Sequence, residues 1–423
     1  MLSLRKLFFD PAPPTEEQLT RGRRCLIAEG AVAGVLYSIG TGNFMTGYLG
    51  QMGASVSFCA LMAMIPQAGC ILQFFSPLLF ERLHHRKLAI WSLCVVFRFS
   101  LSLTFLLPAR MGPQAEGMAF VLYTLAFAAA GAVTPGLQHM TIGLAPPEAR
   151  GRFFAVKDIV ANCVNSGCTL VLGRLLDAWI AAGHAAAGYS AVGAVCLALA
   201  ALDAALLAAT RENPVAFTSR MRLREVLHPL RDATFRPMLL YSVLGGAFGG
   251  FATPFLTVYQ MRVLGLSHTF LTTVGVVSAV AGMAGSWLLG RWADRTNWRR
   301  VIRAAAACSL SCTLGWALVQ PAWAPWLAPV LMVASAGCAG GAATASLNLQ
   351  YACSPPSGKT AYIGTTAALA SMVACASAAV ATAVQPLLAL PLGNGSIRVL
   401  FVLAAVGGFA NLAVNGRRLP AVK

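Results

Sequence analysis

Asp158, Asn162, Asn165 and Thr169 follow one another at intervals of four, three and four residues inside an otherwise apolar stretch. At about 3.6 residues per turn, this spacing sets all four side chains on one face of a helix. A row of carboxylate, amides and hydroxyl can hydrogen-bond a polar solute, and a face this polar looks at a cavity or a partner helix rather than at lipid. Glu29, Asp203 and Arg98 also lie inside long apolar stretches. Ionisable groups are costly in hydrocarbon, where they mark solute pathways, proton relays or buried ion pairs. Proton coupling needs a carboxyl inside such a stretch that changes protonation near neutral pH, and Asp158 and Glu29 are the candidates. Arg98 has about 10 residues of apolar sequence on either side, roughly 15 Å of helix rise each way. It therefore needs a partner within the bundle rather than water.

Membrane spans have to carry these residues. The 423-residue chain is 57% hydrophobic and 11% charged, with a mean hydropathy of +0.69, whereas soluble domains carry about 25% charged residues. A bilayer crossing needs about 20 apolar residues. Twelve stretches qualify, near 25–50, 55–80, 88–107, 117–144, 155–179, 188–210, 238–262, 267–290, 301–320, 323–350, 361–385 and 397–414. The expected fold class is an all-α integral membrane protein with twelve transmembrane helices. A net charge of +17 would suggest nucleic acid for a soluble chain. Here most Lys and Arg sit in the two tails and in the loops after even-numbered spans, while the loops after odd-numbered spans hold Arg110, Arg262 and Arg398. That asymmetry places both termini in the cytoplasm and leaves no role for nucleic acid. The apolar run at residues 7–9 is too short for a cleavable signal peptide.

The expected organisation is a cytoplasmic tail (1–24), a six-helix bundle (25–210), a cytoplasmic linker (211–236), a second six-helix bundle (237–415) and a tail (416–423). Within the linker Leu223, Val226, Leu227 and Leu230 recur at helical spacing among arginines, as in a helix lying on the membrane surface. The twelve cysteines mostly fall in apolar stretches and read as small buried hydrophobes. Cys308 and Cys312 are one turn apart, but no histidine or second pair accompanies them, so no metal site is expected. Without a nucleotide-binding glycine loop or a histidine pair at metal spacing, the chain reads as no enzyme and as needing no cofactor.

The halves repeat. N-F-M-T-G-Y at Asn43 returns as P-F-L-T-V-Y at Pro254, and G-A-S-V-S-F at Gly53 as G-L-S-H-T-F at Gly265. Glu81-Arg82 returns as Asp294-Arg295 and Pro146-Pro147 as Pro355-Pro356, all four pairs being 209 to 213 residues apart and in the same order. Two parallel, pseudo-symmetric six-helix bundles follow from this register.

The loop between the eighth and ninth spans reads G-R-W-A-D-R-T-N-W-R-R from Gly290 to Arg300. Gly290, Ala293, Asp294, Arg295, Arg299 and Arg300 resemble the signature loop of the major facilitator superfamily. Asn297 stands where that pattern has a second glycine; asparagine also tolerates left-handed backbone. On this reading Gly290 lets the helix end against a neighbour. Glu81 and Arg82 resemble a worn first copy, with Pro77 in the place of the glycine.

The resemblance implies substrate bound near the bilayer midplane, with the halves rocking to expose it alternately. It also implies a cavity lined by spans one, four, seven and ten. Tyr37, Thr41 and Tyr48 near one face of span one, with Asn43 beside it, their repeat partners Thr253, Thr257 and Tyr259, and Gln138, Thr344 and Asn348 then join Asn162 and Asn165 as candidate cavity residues. Glu81, Arg82, Gly290, Asp294, Arg295, Arg299 and Arg300 would form the cytoplasmic gate, and Asp294 would be drawn to the start of span five, where Lys157 lies. Because the family places span three outside the cavity, Arg98 is expected to be a structural buried charge. Span five lacks the proline and span four the arginine that drug–proton antiporters of this family carry, which lowers drug or metabolite efflux as an alternative within transport without removing it. The expected function is a monomeric secondary transporter in the plasma membrane, moving a small polar or amphipathic organic solute, with the proton as coupling ion. The alternative is a transporter-shaped receptor or lipid-handling protein without coupled flux.

Overall fold

The computed structural model describes residues 8, 14–76, 80, 83, 86–106, 113–144, 150–211, 228–354, 359–393 and 395–420. Among them the elements are helices: α1 Glu16–Thr41, α2 Asn43–Gln51, α3 Val56–Gly69 with a 3-10 turn Cys70–Phe74, α4 Arg86–Thr104, α5 Pro113–Leu144, α6 Arg150–Ala181 and α7 Ala185–Ala209. There follow the short α8 His228–Arg231, α9 Arg236–Val258 with a π turn Tyr259–Val263, α10 His268–Arg295, α11 Trp298–Leu318, α12 Ala324–Cys353, α13 Lys359–Leu392 and α14 Gly395–Val414. Eleven helical stretches among the described residues are long and apolar enough to cross a membrane, and α1 with α2, bent by 43°, makes a twelfth when counted as one span. Helices satisfy their own backbone hydrogen bonds, which hydrocarbon demands.

The chain divides into two compact units, Met1–Ala54 with Ile65–Arg220, and Ser55–Met64 with Met221–Lys423. In the first, α1 packs on α6 and α7, α4 packs on α5 and α7, and the 3-10 turn packs on α5. In the second, α9 packs on α13 and α14, α11 packs on α12 and α14, and α10 packs on α12. Each pairing in one unit has its counterpart in the other, so the sequence repeat is a repeat of packing. The expected first bundle is interrupted, however. Residues 55–64 belong to the second unit, where Ser57 donates a hydrogen bond to Gln385 Oε1 at 3.0 Å.

The repeated hexapeptides are one local structure made twice. Gly53 and Gly265 have φ of +79° and +68°, a region where only glycine is unstrained. Two residues later Ser55 accepts from the backbone N–H of Phe58 at 3.0 Å, and Ser267 from that of Phe270 at 3.1 Å. Each serine caps the helix that follows. Close helix crossings repeat as well. A Cβ on Gly131 would lie 1.9 Å from the Gly69 carbonyl oxygen, and one on Gly285 would lie 2.0 Å from that of Gly337. Small residues let membrane helices approach to backbone contact.

Several boundaries differ from the expected ones. Helix α1 starts at Glu16 rather than near residue 25, because Thr15 and Gln18 form a reciprocal capping box with bonds of 3.3 and 3.0 Å. The expected cytoplasmic tail therefore contributes more than two helical turns. Helix α6 starts at Arg150, which puts Lys157 two turns inside it. Helix α10 does not end at Gly290 but runs to Arg295, and no atom lies within 4 Å of where a Gly290 Cβ would be. Asn297 is not left-handed: it has φ −164° and caps α11 by accepting from the N–H of Arg300 at 2.9 Å. Its side chain ends one helix and starts the next without any glycine-like backbone. Of the expected amphipathic helix of the linker, Leu223, Val226 and Leu227 lie outside the described residues, while Leu230 lies exposed in the short α8.

Candidate functional site

A cavity of about 500 Å³ opens within the first unit between α1, α4, α5 and α6. Tyr37 from α1, Gln138 from α5 and Asp158, Asn162 and Asn165 from α6 line it, together with Glu29, Arg98 and Lys157. The polar face of span five thus lies on a cavity, while Thr169 at its end is buried and donates to the carbonyl of Asn165 at 2.7 Å.

The charged floor of this cavity is a buried cluster drawn from four helices. Arg98 Nη2 donates to Glu29 Oε1 at 2.6 Å, and its Nη1 donates to Asp203 Oδ2 on α7. The three side chains are only 3%, 2% and 1% exposed. A carboxylate on each side of a guanidinium is a pairing that hydrocarbon tolerates. Glu29 and Asp203 are thus the two partners of Arg98. Lys157 Nζ stands 4.0 Å from Glu29 Oε2, beyond hydrogen-bonding distance, on a side chain 19% exposed. Its stem crosses Gly30 so closely that a Cβ there would lie 2.5 Å from Lys157 Cε. Glu29 Oε2 and Asn165 Oδ1 are buried acceptors that receive no hydrogen bond.

Other expected cavity residues lie elsewhere. Thr41 donates to the carbonyl of Tyr37 at 2.8 Å, and Asn43 opens α2; neither lines this cavity. A separate cavity of about 500 Å³ lies within the second unit between α9, α11, α12 and α14. Thr253 lines it with Tyr241, Ser309, Thr313, Trp316 and Asn411, and no charged residue does. Thr257, Thr344 and Asn348 are not on its wall; Asn348 donates back to the carbonyl of Thr344 at 2.9 Å. Tyr259 is a correction. It is 0% exposed and edge-on to Phe401; it donates to the carbonyl of Val319 at 2.7 Å and accepts from Arg398 Nε at 3.0 Å. Its hydroxyl anchors the end of α9 to the residue after α11, and no solute reaches it.

In the expected gate, Ala293 is buried against Val301, Leu349 and Tyr362. Arg295 and Arg300 are exposed, and Arg299 donates to the carbonyl of Leu419 at 3.2 Å. Glu81 and Arg82 lie outside the described residues, as does the side chain of Asp294. Among the described residues no three His, Cys, Asp or Glu side chains come close enough together to hold a metal ion. The sequence reading set Lys157 at the start of span five beside the gate and did not count it among the cavity residues. Tyr241 and Asn411, whose neutral groups sit in stretches that resemble ordinary apolar spans, escaped it.

The sequence matches the Major Facilitator Superfamily over residues 30–382. No curated protein matches it. Among solved structures, a mutant of the nucleoside transporter NupG superposes with a TM-score of 0.72 at 11% identity, covering 94% of this chain and 99% of that one. An auto-inhibited peptide transporter of the POT family gives 0.70 at 13% identity, covering 95% and 98%. A D-xylose–proton symporter gives 0.61 at 15% identity, covering 96% and 97%. These likenesses are likenesses of fold. The family match spans most of the chain, over two units whose helices pack in the same pattern, so the chain belongs to the major facilitator superfamily and is a multi-pass membrane transporter, not an enzyme.

Proposed function

We propose that the chain is a proton-coupled secondary transporter of a small polar organic solute, working by alternating access in the plasma membrane as a monomer. The observation that carries this reading is the cavity of the first unit. Five residues singled out for solute contact or coupling, Tyr37, Gln138, Asp158, Asn162 and Asn165, share its wall with Glu29 and Arg98, which pair with each other and, through Arg98, with Asp203. Amides and hydroxyls supply orientation, and Glu29 and Asp158 supply carboxyls that a proton can reach from the cavity. The names of the solved neighbours, covering nucleosides, peptides and xylose with a proton, belong to the same broad class of polar solutes. On this reading both termini are cytoplasmic, because the basic residues lie on that side. The loop around Asp294 and its counterpart at Glu81 and Arg82 then form the cytoplasmic gate.

The test is transport by the purified full-length chain in proteoliposomes under an imposed pH gradient, with a mixture of nucleosides, sugars, short peptides and small organic acids outside. Concentrative uptake of one solute, abolished by a protonophore, is the expected result. Binding without any accumulation would replace this reading with a receptor or lipid-handling protein.

A further inference from the structure

Glu29, Asp203, Arg98 and Lys157 are two acids and two bases, so the buried cluster is neutral as it stands. The pairs are unequal. Arg98 is held by both carboxylates, whereas Lys157 stands 4.0 Å from Glu29 and faces the cavity. Glu29 Oε2 receives no other hydrogen bond. Lys157 is therefore the one member of the cluster with a side chain able to turn to a ligand without breaking a bonded pair. The other groups facing Glu29 do not replace it. From α4 come Arg98 and Cys94, from α7 Asp203, and from α6 Lys157 with the more exposed Asp158. From α5 the neutral Thr134, Gln138 and Thr141 line the cavity, and from α1 itself Tyr37.

We propose that the cavity of the first unit binds the carboxylate of a small organic acid through Lys157, and that one proton takes the place of Lys157 at Glu29 Oε2. This rests on the transport reading and names its substrate class. An uncompensated charge in a buried site is strongly unfavourable. When Lys157 turns to an anion, the Glu29–Arg98–Asp203 group is left with one negative charge too many. A proton on Glu29 restores neutrality there, while the carboxylate and Lys157 neutralise each other. No bond other than O–H is made, and the net event is the entry of one carboxylate and one proton. The amides of Asn162 and Asn165 on the same wall then take the polar remainder of the solute.

Two measurements on the full chain test this without a transport assay. In Lys157→Gln the lysine is permanently withdrawn, so infrared difference spectra in lipid should gain one carboxylic-acid carbonyl band. That band should be absent in Lys157→Arg and lost again when Glu29→Gln is added. No new band in Lys157→Gln, or one that survives Glu29→Gln, overturns the proposal. On the wild-type protein, acetate, lactate, benzoate and gluconate are compared with their amides by thermal shift and by proton uptake in weak buffer. At least one acid should stabilise the protein and take up about one proton, and its amide should do neither. Stabilisation by amide and acid alike, binding without proton uptake, or silence from all four acids would overturn it. A chain that binds an acid with proton uptake yet accumulates nothing would refute the transport reading alone. Concentrative uptake of an uncharged solute would refute this inference alone.

Discussion

Arg98 on α4 and Asp203 on α7, 105 residues apart in sequence, form an ion pair whose side chains are 3% and 1% exposed. Helices α4 and α7 pack on each other, and the pair ties them together where both side chains are buried. Removing one partner of a buried pair costs about 3–5 kcal/mol, because the other is left uncompensated. Asp203→Asn is expected near the bottom of that range, since Arg98 keeps Glu29, and Arg98→Gln, which strands two acids, near the top. The double variant should be more stable than the sum of the two losses requires. Thermal unfolding of the four purified forms measures this, and strictly additive losses would contradict the pairing.

Two of the four glycines of α10, Gly285 and Gly290, should behave in opposite ways. Gly285→Val drives a side chain into the carbonyl of Gly337, 2.0 Å from its Cβ position, and should abolish expression of folded protein. Gly290→Ala meets nothing within 4 Å and gains helix propensity, about 0.5–1 kcal/mol. Fluorescence-detected size exclusion reads both outcomes. A well-expressed Gly285→Val variant would show that the crossing is looser than described.

Tyr259→Phe removes the hydroxyl that joins Val319 to Arg398. Arg398 Nη2 remains 3.4 Å from the Val319 carbonyl, so the expected loss is modest, about 1–3 kcal/mol. The half-saturating solute concentration should stay as in the wild type, because this side chain is away from both cavities. A selective rise in that constant would return Tyr259 to the solute pathway.

Asn165→Leu should do the reverse. Its Oδ1 is buried without a partner beside the cavity, so an apolar replacement removes an unmet acceptor at little expense in stability. If that atom awaits the solute, the half-saturating concentration rises about tenfold, or about 1.4 kcal/mol. Unchanged kinetics would assign Asn165 to packing.

Much of this architecture was legible because hydrocarbon punishes exceptions. Span lengths, the repeat and the polar face from Asp158 to Asn165 are all patterns that a bilayer forces into the sequence. The need of Arg98 for a partner was legible on the same ground. Which partners it takes was not, since Glu29 and Asp203 are brought to it by packing of α1 and α7 on neighbouring helices. Lys157 was legible at the start of span five, but it was assigned to the attraction for Asp294 and not to the cavity. Its approach to Glu29 depends on the packing of α6 on α1. Tyr259 was misread for another reason. Its register with the repeat was real, but the position is buried in both halves, Tyr48 against Phe105 and Tyr189 and Tyr259 against Phe401. A repeat shows that two positions are equivalent, not that they face a cavity.

On the proposed function the Glu29 cluster couples solute movement to protons, and Glu29→Gln removes the carboxyl that this coupling needs. Glutamine keeps the shape and can still accept from Arg98, but it can neither gain nor lose a proton. In proteoliposomes the variant should still exchange internal for external solute at a rate within a few-fold of wild type, and should show no concentrative uptake under a pH gradient. Concentrative uptake equal to that of the wild type would contradict the account.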